Sequence, residues 1–182
     1  MTAIHYTILA AGTVLWFLPF LLVRRKSKGA LTLDRRARWG VALQGLSYTV
    51  LWQGPFWTRS LASWQTAFAL ALFAIAGAIS WTSAFTLGRQ LRVDAALEGD
   101  HRLIRSGPYR LVRHPIYTSM LAVLAGTGIL IAPWYLLAPG LTLFLLGTGI
   151  RARVEESLLE SRFGEEFRDY RRTVPALIPF VG

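Results

Sequence analysis

The chain has 182 residues, 53% of them hydrophobic and only 16% charged, with a net charge of +10. That balance is too apolar for an ordinary soluble domain and fits a small polytopic membrane protein with one domain over residues 1–182. The lack of cysteine excludes a disulfide framework and a thiolate metal site, and His5, His101 and His114 show no HxxE or HxxxH spacing, which argues against any metal site.

In chain order, the first apolar block is 3–23, "AIHYTILAAGTVLWFLPFLLV". Its basic residues follow it rather than precede it, so it reads as a span and not as a cleaved signal. The second block is 39–57 and the third 64–87. About 20 residues, rising about 1.5 Å each, cross a bilayer core, so each of these blocks supplies one helix. The fourth block, 116–150, is interrupted at Ala132-Pro133-Trp134 and accommodates two short spans, 116–132 and 134–150, folded as a hairpin. The expected architecture is all-α, a polytopic integral membrane protein of about five transmembrane helices.

The basic residues orient these helices. Arg24, Arg25, Lys26, Lys28, Arg35, Arg36 and Arg38 lie between spans one and two. Arg89, Arg92, Arg102, Arg105, Arg110 and Arg113 lie between spans three and four. Six more arginines follow span five, and only Arg59 falls in the remaining connection. The side that collects them is cytoplasmic, which puts the N-terminus outside and the C-terminus inside; if the source is a bacterium, the membrane is the inner one. The positive charge therefore belongs to a membrane face, and no nucleic-acid partner is expected. The stretch 151–172 spaces Val154, Leu158, Phe163, Phe167 and Tyr170 as an amphipathic cytoplasmic helix, with Gly164 a candidate break.

Most of the informative chemistry lies in "GPYRLVRHPIYTS", 107–119. A residue before proline is pushed out of the helical basin, and proline suits a first helical turn. His114 is thus expected just ahead of span four, at a helix start that favours an anion. Arg151 and Glu155 share a helix face where span five emerges, and the hairpin brings them toward His114 and Tyr117. Glu156 is turned about 100° from Glu155, so the two are not expected to face one small pocket equally. The plainer account makes the arginines partners of membrane lipid headgroups and Arg151–Glu155 a surface ion pair.

The ordered series "HRLIRSGPYRLVRHPIY" (101–117) and "RARVEESLLESRFGEEFRDYRRTVPALIPF" (151–180) resembles isoprenylcysteine carboxyl methyltransferase and its bacterial relatives. The resemblance implies an enzyme, a methyltransferase that uses S-adenosylmethionine (SAM) and releases S-adenosylhomocysteine. It implies a cofactor region over about 88–117 and 151–180. His101, Arg102, Leu103 and Ile104 would contribute largely through backbone. Tyr109, His114, Pro115, Ile116 and Tyr117 would wrap the cofactor, Glu155 would hold its polar end, and Arg151 would position the acceptor. One departure is Ser119, where the family often has glycine. The first two spans show no motif and receive no functional weight. The acceptor implied is a small lipophilic carboxylate, thiol or amine. Two rival readings are an NADPH-dependent membrane reductase related to sterol reductases and a non-catalytic membrane scaffold. The residues name neither the acceptor nor an oligomeric state.

Overall fold

The computed structural model describes residues 1–23, 32–33, 36–91, 96–97 and 102–179. Six α-helices follow one another: α1 (Ala3–Leu22), α2 (Ala37–Leu51), α3 (Ser63–Leu87), α4 (Pro115–Ile131), α5 (Trp134–Phe163) and α6 (Glu165–Thr173). Short 3-10 turns occupy Phe56–Thr58, Gly88–Gln90 and Gly107–Arg110. A two-residue antiparallel ribbon joins β1 (Thr32–Leu33) to β2 (Ala96–Leu97). Helices α1, α3 and α5 are long and apolar enough to cross a membrane, and α4 is apolar but shorter. Their outer faces carry exposed large apolar side chains, among them Phe17, Phe68, Ile75 and Leu146, as suits lipid contact.

Two helices differ from their expected limits. The second ends at Leu51 rather than at residue 57, because a turn at 52–54 and Pro55 interrupt it. At 15 residues it is about 22 Å long, short of a full hydrocarbon thickness. The fifth does not end at residue 150. It runs unbroken to Phe163, so the first half of the amphipathic stretch is the same helix as the span. Gly164 ends it with φ +55, a conformation that costs glycine little. Arg151, Glu155 and Glu156 are therefore carried on a rigid extension of an apolar helix.

The packing also differs from a simple hairpin of α4 on α5. The main partners are α2 with α5 and α3 with α4. Glycines set the first pair. A Cβ on Gly40 would lie 2.5 Å from the Gly147 carbonyl oxygen, and one on Gly147 would lie 2.6 Å from the Gly40 carbonyl oxygen. Small residues of this kind let helix backbones approach closely where there is no hydrophobic drive between spans. Leu51, Phe73, Leu124 and Phe144 fill the shared core.

The bundle has two distinct ends. The Met1 ammonium donates to the carbonyls of Trp57 and Arg59, both at 2.9 Å, and Gly54 abuts Pro133. The N-terminus, the α2–α3 connection and the α4–α5 turn thus share one end. Exposed Trp52, Trp57, Trp64 and Trp134 mark it. At the other end, Val23 packs with Ala84 and Leu91, and Ala37 packs with Val154.

Candidate active site

His114 sits at the N-cap of α4 with φ −123 and ψ 61, and Pro115 takes the first helical position. As expected before a proline, His114 is outside the helical basin, although its ψ stops short of the extended range. The C-terminal segment lies across this helix start. Arg113 N–H donates to the Pro175 carbonyl at 2.8 Å and His114 N–H to Ala176 at 3.0 Å. The Thr118 hydroxyl donates to Leu177 at 2.6 Å. His114 is only 7% exposed.

Its ring meets two carboxylates. Nε2 is 3.0 Å from Glu156 Oε1, and Nδ1 is 3.6 Å from Glu155 Oε2. Glu155 and Glu156, expected not to face one small pocket equally, meet the ring at different nitrogens and different distances. The imidazole offers a nitrogen on each side, so neighbours turned about 100° apart both reach it. Burial opposes charge on His114, but hydrogen bonds to Glu155 and then Glu156 outweigh it and raise the ring's pKa. Burial also opposes charge on Glu156, and hydrogen bonds from His114 and then Arg113 overcome it, holding this carboxyl below the usual range. Arg113 Nε bonds Glu156 Oε1 at 2.9 Å, while Nη1 donates to the carbonyls of Arg171 and Val174. Arg113 therefore ties α5 to the C-terminal segment.

Tyr117 donates its hydroxyl to Glu155 Oε1. Its ring stacks on His114 with centroids 5.6 Å apart, and the Arg151 guanidinium carbon lies 4.9 Å from the ring centroid. That is a cation–π distance. Arg151 Nη2 is 3.9 Å from Glu155 Oε1. Nη1 donates to Gln44 Oε1 at 3.0 Å, and Gln44 Nε2 donates to Thr148 Oγ1 at 2.9 Å. Gln44 lies on α2, a span given no functional weight from the sequence. One signal was available there, since an amide inside an apolar helix is costly unless something polar meets it.

Around this cluster, Tyr109 is buried and its carbonyl accepts the Tyr170 hydroxyl at 2.6 Å. Burial pushes the Tyr109 phenol up, and the charges of Tyr170 and then Glu155 add to the effect. Burial pushes Tyr170 up to about 12. Gly107 begins the Gly-Pro-Tyr-Arg turn with φ +58, where a Cβ would also press within 2.9 Å of the Thr86 hydroxyl. Residues 102–105 have no regular secondary structure, and Arg102 N–H donates to Gln90 Oε1 at 2.7 Å. Leu103 and Ile104 are half-buried, and His101 lies outside the described residues. Pro115 is buried, whereas Ile116 packs into the separate apolar cluster of Val23, Ala84 and Leu91. Ser119, the departure from glycine, is fully buried, accepts from Trp16 Nε1 at 2.9 Å and donates to the Ile116 carbonyl at 2.7 Å. An open apolar groove of about 730 Å³ lies along α3 beneath Pro108 and Leu111, and none of the residues around His114 lines it.

Residues 64–166, from the first turn of α3 to the first turn of α6, match the model of a family described as phospholipid methyltransferase. The chain belongs to this family. The matched region of the family contains His114, Tyr117, Arg151, Glu155 and Glu156, and leaves out α1, α2 and the segment after 166. Protein-S-isoprenylcysteine O-methyltransferase B of Arabidopsis thaliana is 27% identical over 121 residues, 65% of this chain and 61% of that protein. Methanethiol S-methyltransferase of Crocosphaera subtropica is 36% identical over 74 residues, 41% of this chain and 28% of that protein. A probable protein-S-isoprenylcysteine O-methyltransferase of Oryza sativa subsp. indica is 35% identical over 85 residues, 46% of this chain and 44% of that protein. The chain therefore spans less than two thirds of the length of each of these relatives.

Proposed function

We propose that the chain is an integral membrane methyltransferase that uses SAM to methylate a small lipophilic acceptor at the cytoplasmic face of the membrane. One observation carries the reading: the family-matched region folds His114, Tyr117, Arg151, Glu155 and Glu156 into one buried polar cluster at the end of an apolar bundle. Membership of a family named for methyl transfer favours this over the reductase and scaffold readings.

The cluster suits SAM by its donor set. The Glu155 side chain is 27% exposed, against 6% for His114 and 15% for Glu156, so Glu155 is the open edge of the cluster. A partly open carboxylate accepts from an ammonium or from ribose hydroxyls. The Tyr117 ring beside it is already engaged by His114 and Arg151, and its hydroxyl holds Glu155 in place. SAM, when bound, supplies an electrophilic methyl group on a positively charged sulfur. The chain's own contribution is placement. The His114 ring holds both carboxylates, one at each nitrogen, and the Tyr117 hydroxyl sets the rotamer of Glu155. Arg102, Leu103 and Ile104, in a stretch without regular secondary structure, would contribute a backbone wall, with His101 assigned by resemblance, and Pro115 with Ile116 frames the helix start. Arg151 is assigned to the acceptor. A carboxylate, thiolate or neutral amine needs little acid–base help, so positioning and exclusion of water suffice.

The topology belongs to the same proposal. Five crossings, with the N-terminus outside and the C-terminus cytoplasmic, agree with the sharing of bundle ends and with the gathering of basic residues at one of them. The acceptor then enters from the bilayer and the cofactor from the cytoplasm. The relatives named above comprise O- and S-methyltransferases, so the acceptor atom is not inherited from them. The deciding experiment incubates purified protein with methyl-labelled SAM and a panel of lipophilic carboxylates, thiols and amines. Label transfer is expected, and SAM and S-adenosylhomocysteine should raise the melting temperature. Stabilisation by NADPH in place of SAM would favour the reductase, and SAM binding without transfer to any acceptor would favour the scaffold.

A further inference from the structure

Gln44 belongs to none of the motifs and lies outside the family match, yet it makes the hydrogen bond that holds the Arg151 guanidinium. Several features among the described residues surround Arg151. Its stem fills a slot left by Gly40, whose Cβ would come within 2.5 Å of Arg151 Cγ. The Tyr117 ring lies under the guanidinium at 4.9 Å. Glu155 is an ion-pair partner at 3.9 Å. Gln44 Oε1 accepts from Nη1 at 3.0 Å. The amide is oriented by its other bond. Arginine has only donors, so the Gln44 carbonyl must face it, and the amide nitrogen then reaches Thr148 Oγ1 at 2.9 Å. Both Gln44 and Thr148 are buried, at 3% and 0% exposure.

An amide at this position does what a carboxylate would not. It fixes the direction of the guanidinium and adds no second negative charge beside Glu155. We infer that Gln44 is a positioning residue that aims Arg151 at an anionic oxygen of the methyl acceptor, so that α2, with the slot at Gly40, sets acceptor recognition. This rests on the reading of Arg151 as the acceptor-facing cation.

The test uses the full chain in detergent micelles, saturated with S-adenosylhomocysteine, with decanoate as the lipophilic anion and calorimetry as the readout. The Gln44→Glu variant is isosteric. Its carboxylate is held ionised by Arg151, and its second oxygen reverses the bond to Thr148 by accepting from the hydroxyl. A merely structural Gln44 would tolerate this change in every assay. A positioning Gln44 would not: decanoate affinity should fall by about tenfold or more, the loss of a hydrogen-bonded charge. The melting temperature and the affinity for S-adenosylhomocysteine should stay near wild type. Gln44→Ala should lose decanoate as well, with a lower melting temperature. Wild-type decanoate affinity in either variant would overturn the inference. Arg151→Ala separates the two levels. If it abolishes decanoate binding while Gln44→Glu does not, only the role of Gln44 fails. If the wild-type protein takes up no decanoate, or Arg151→Ala takes it up unchanged, the acceptor-facing reading of Arg151 fails and the inference with it.

Discussion

Replacing Gly147 by alanine tests the contact on which the cluster depends. The added methyl would stand 2.6 Å from the Gly40 carbonyl oxygen, 3.0 Å from Leu43 Cβ and 3.1 Å from the Gln44 nitrogen. Two of these are backbone atoms of α2, so no side-chain rotation relieves the clash. Ordinary contact begins near 3.4 Å, so α2 must retreat by about 0.8 Å. The same retreat would stretch the 3.0 Å bond from Arg151 to Gln44 beyond hydrogen-bonding distance. Overpacking of this kind costs about 1–3 kcal/mol, and a lost bond to a charged group adds about 1.5–3 kcal/mol, offset by about 0.5–1 kcal/mol from the better helix propensity of alanine. Gly149 is the control. It lies on the same helix, and a Cβ there meets nothing within 4 Å. Thermal unfolding of the purified protein should show Gly147→Ala clearly below wild type and Gly149→Ala at or above it. Equal melting temperatures for the two variants would mean that the α2–α5 approach is not the constraint described.

Other outcomes follow from the cluster and the bundle. Because the pKa of His114 is raised by Glu155 and Glu156, its stabilising charge is fully present below the ordinary histidine range and is lost as pH rises through the raised value. Glu156, held low by His114 and Arg113, contributes above the ordinary carboxylate range and loses its effect as pH falls below it. Melting temperature should therefore pass through a plateau, and His114→Gln should remove its alkaline decline; an unchanged alkaline limb would refute the assignment. Glu155→Gln and His114→Ala should both weaken SAM binding in calorimetry, and near-wild-type affinity in both would place the cofactor elsewhere. Tyr170→Phe deletes the hydroxyl bonded to the Tyr109 carbonyl and should cost about 1 kcal/mol in thermal unfolding, with no effect if that bond is absent. Reporter fusions at Ser60 should read external and those at Ala30, Asp100 and Gly182 cytoplasmic, and an external C-terminus would remove the five-crossing topology.

Much of this protein follows from local rules that act along the chain. Apolar length places the helices, the step from Arg113 to Pro115 stops and restarts one, and Gly164 ends another, because each effect involves only neighbouring residues. The proximity of His114 and Tyr117 to Glu155 also followed, since a hairpin about Pro133 returns α5 to the start of α4. The family resemblance lay in ordered motifs of the same region. What sequence spacing did not decide was how the polar groups divide among partners. Glu156 shares His114 with Glu155 and binds Arg113, a matter of ring placement to within about an ångström. The C-terminal segment covers the start of α4 through backbone bonds, which leave no side-chain pattern to read. Gln44 reaches Arg151 only because Gly40 and Gly147 let two distant helices touch. Contacts of that kind depend on the relative position of whole helices, and so belong to the tertiary structure alone.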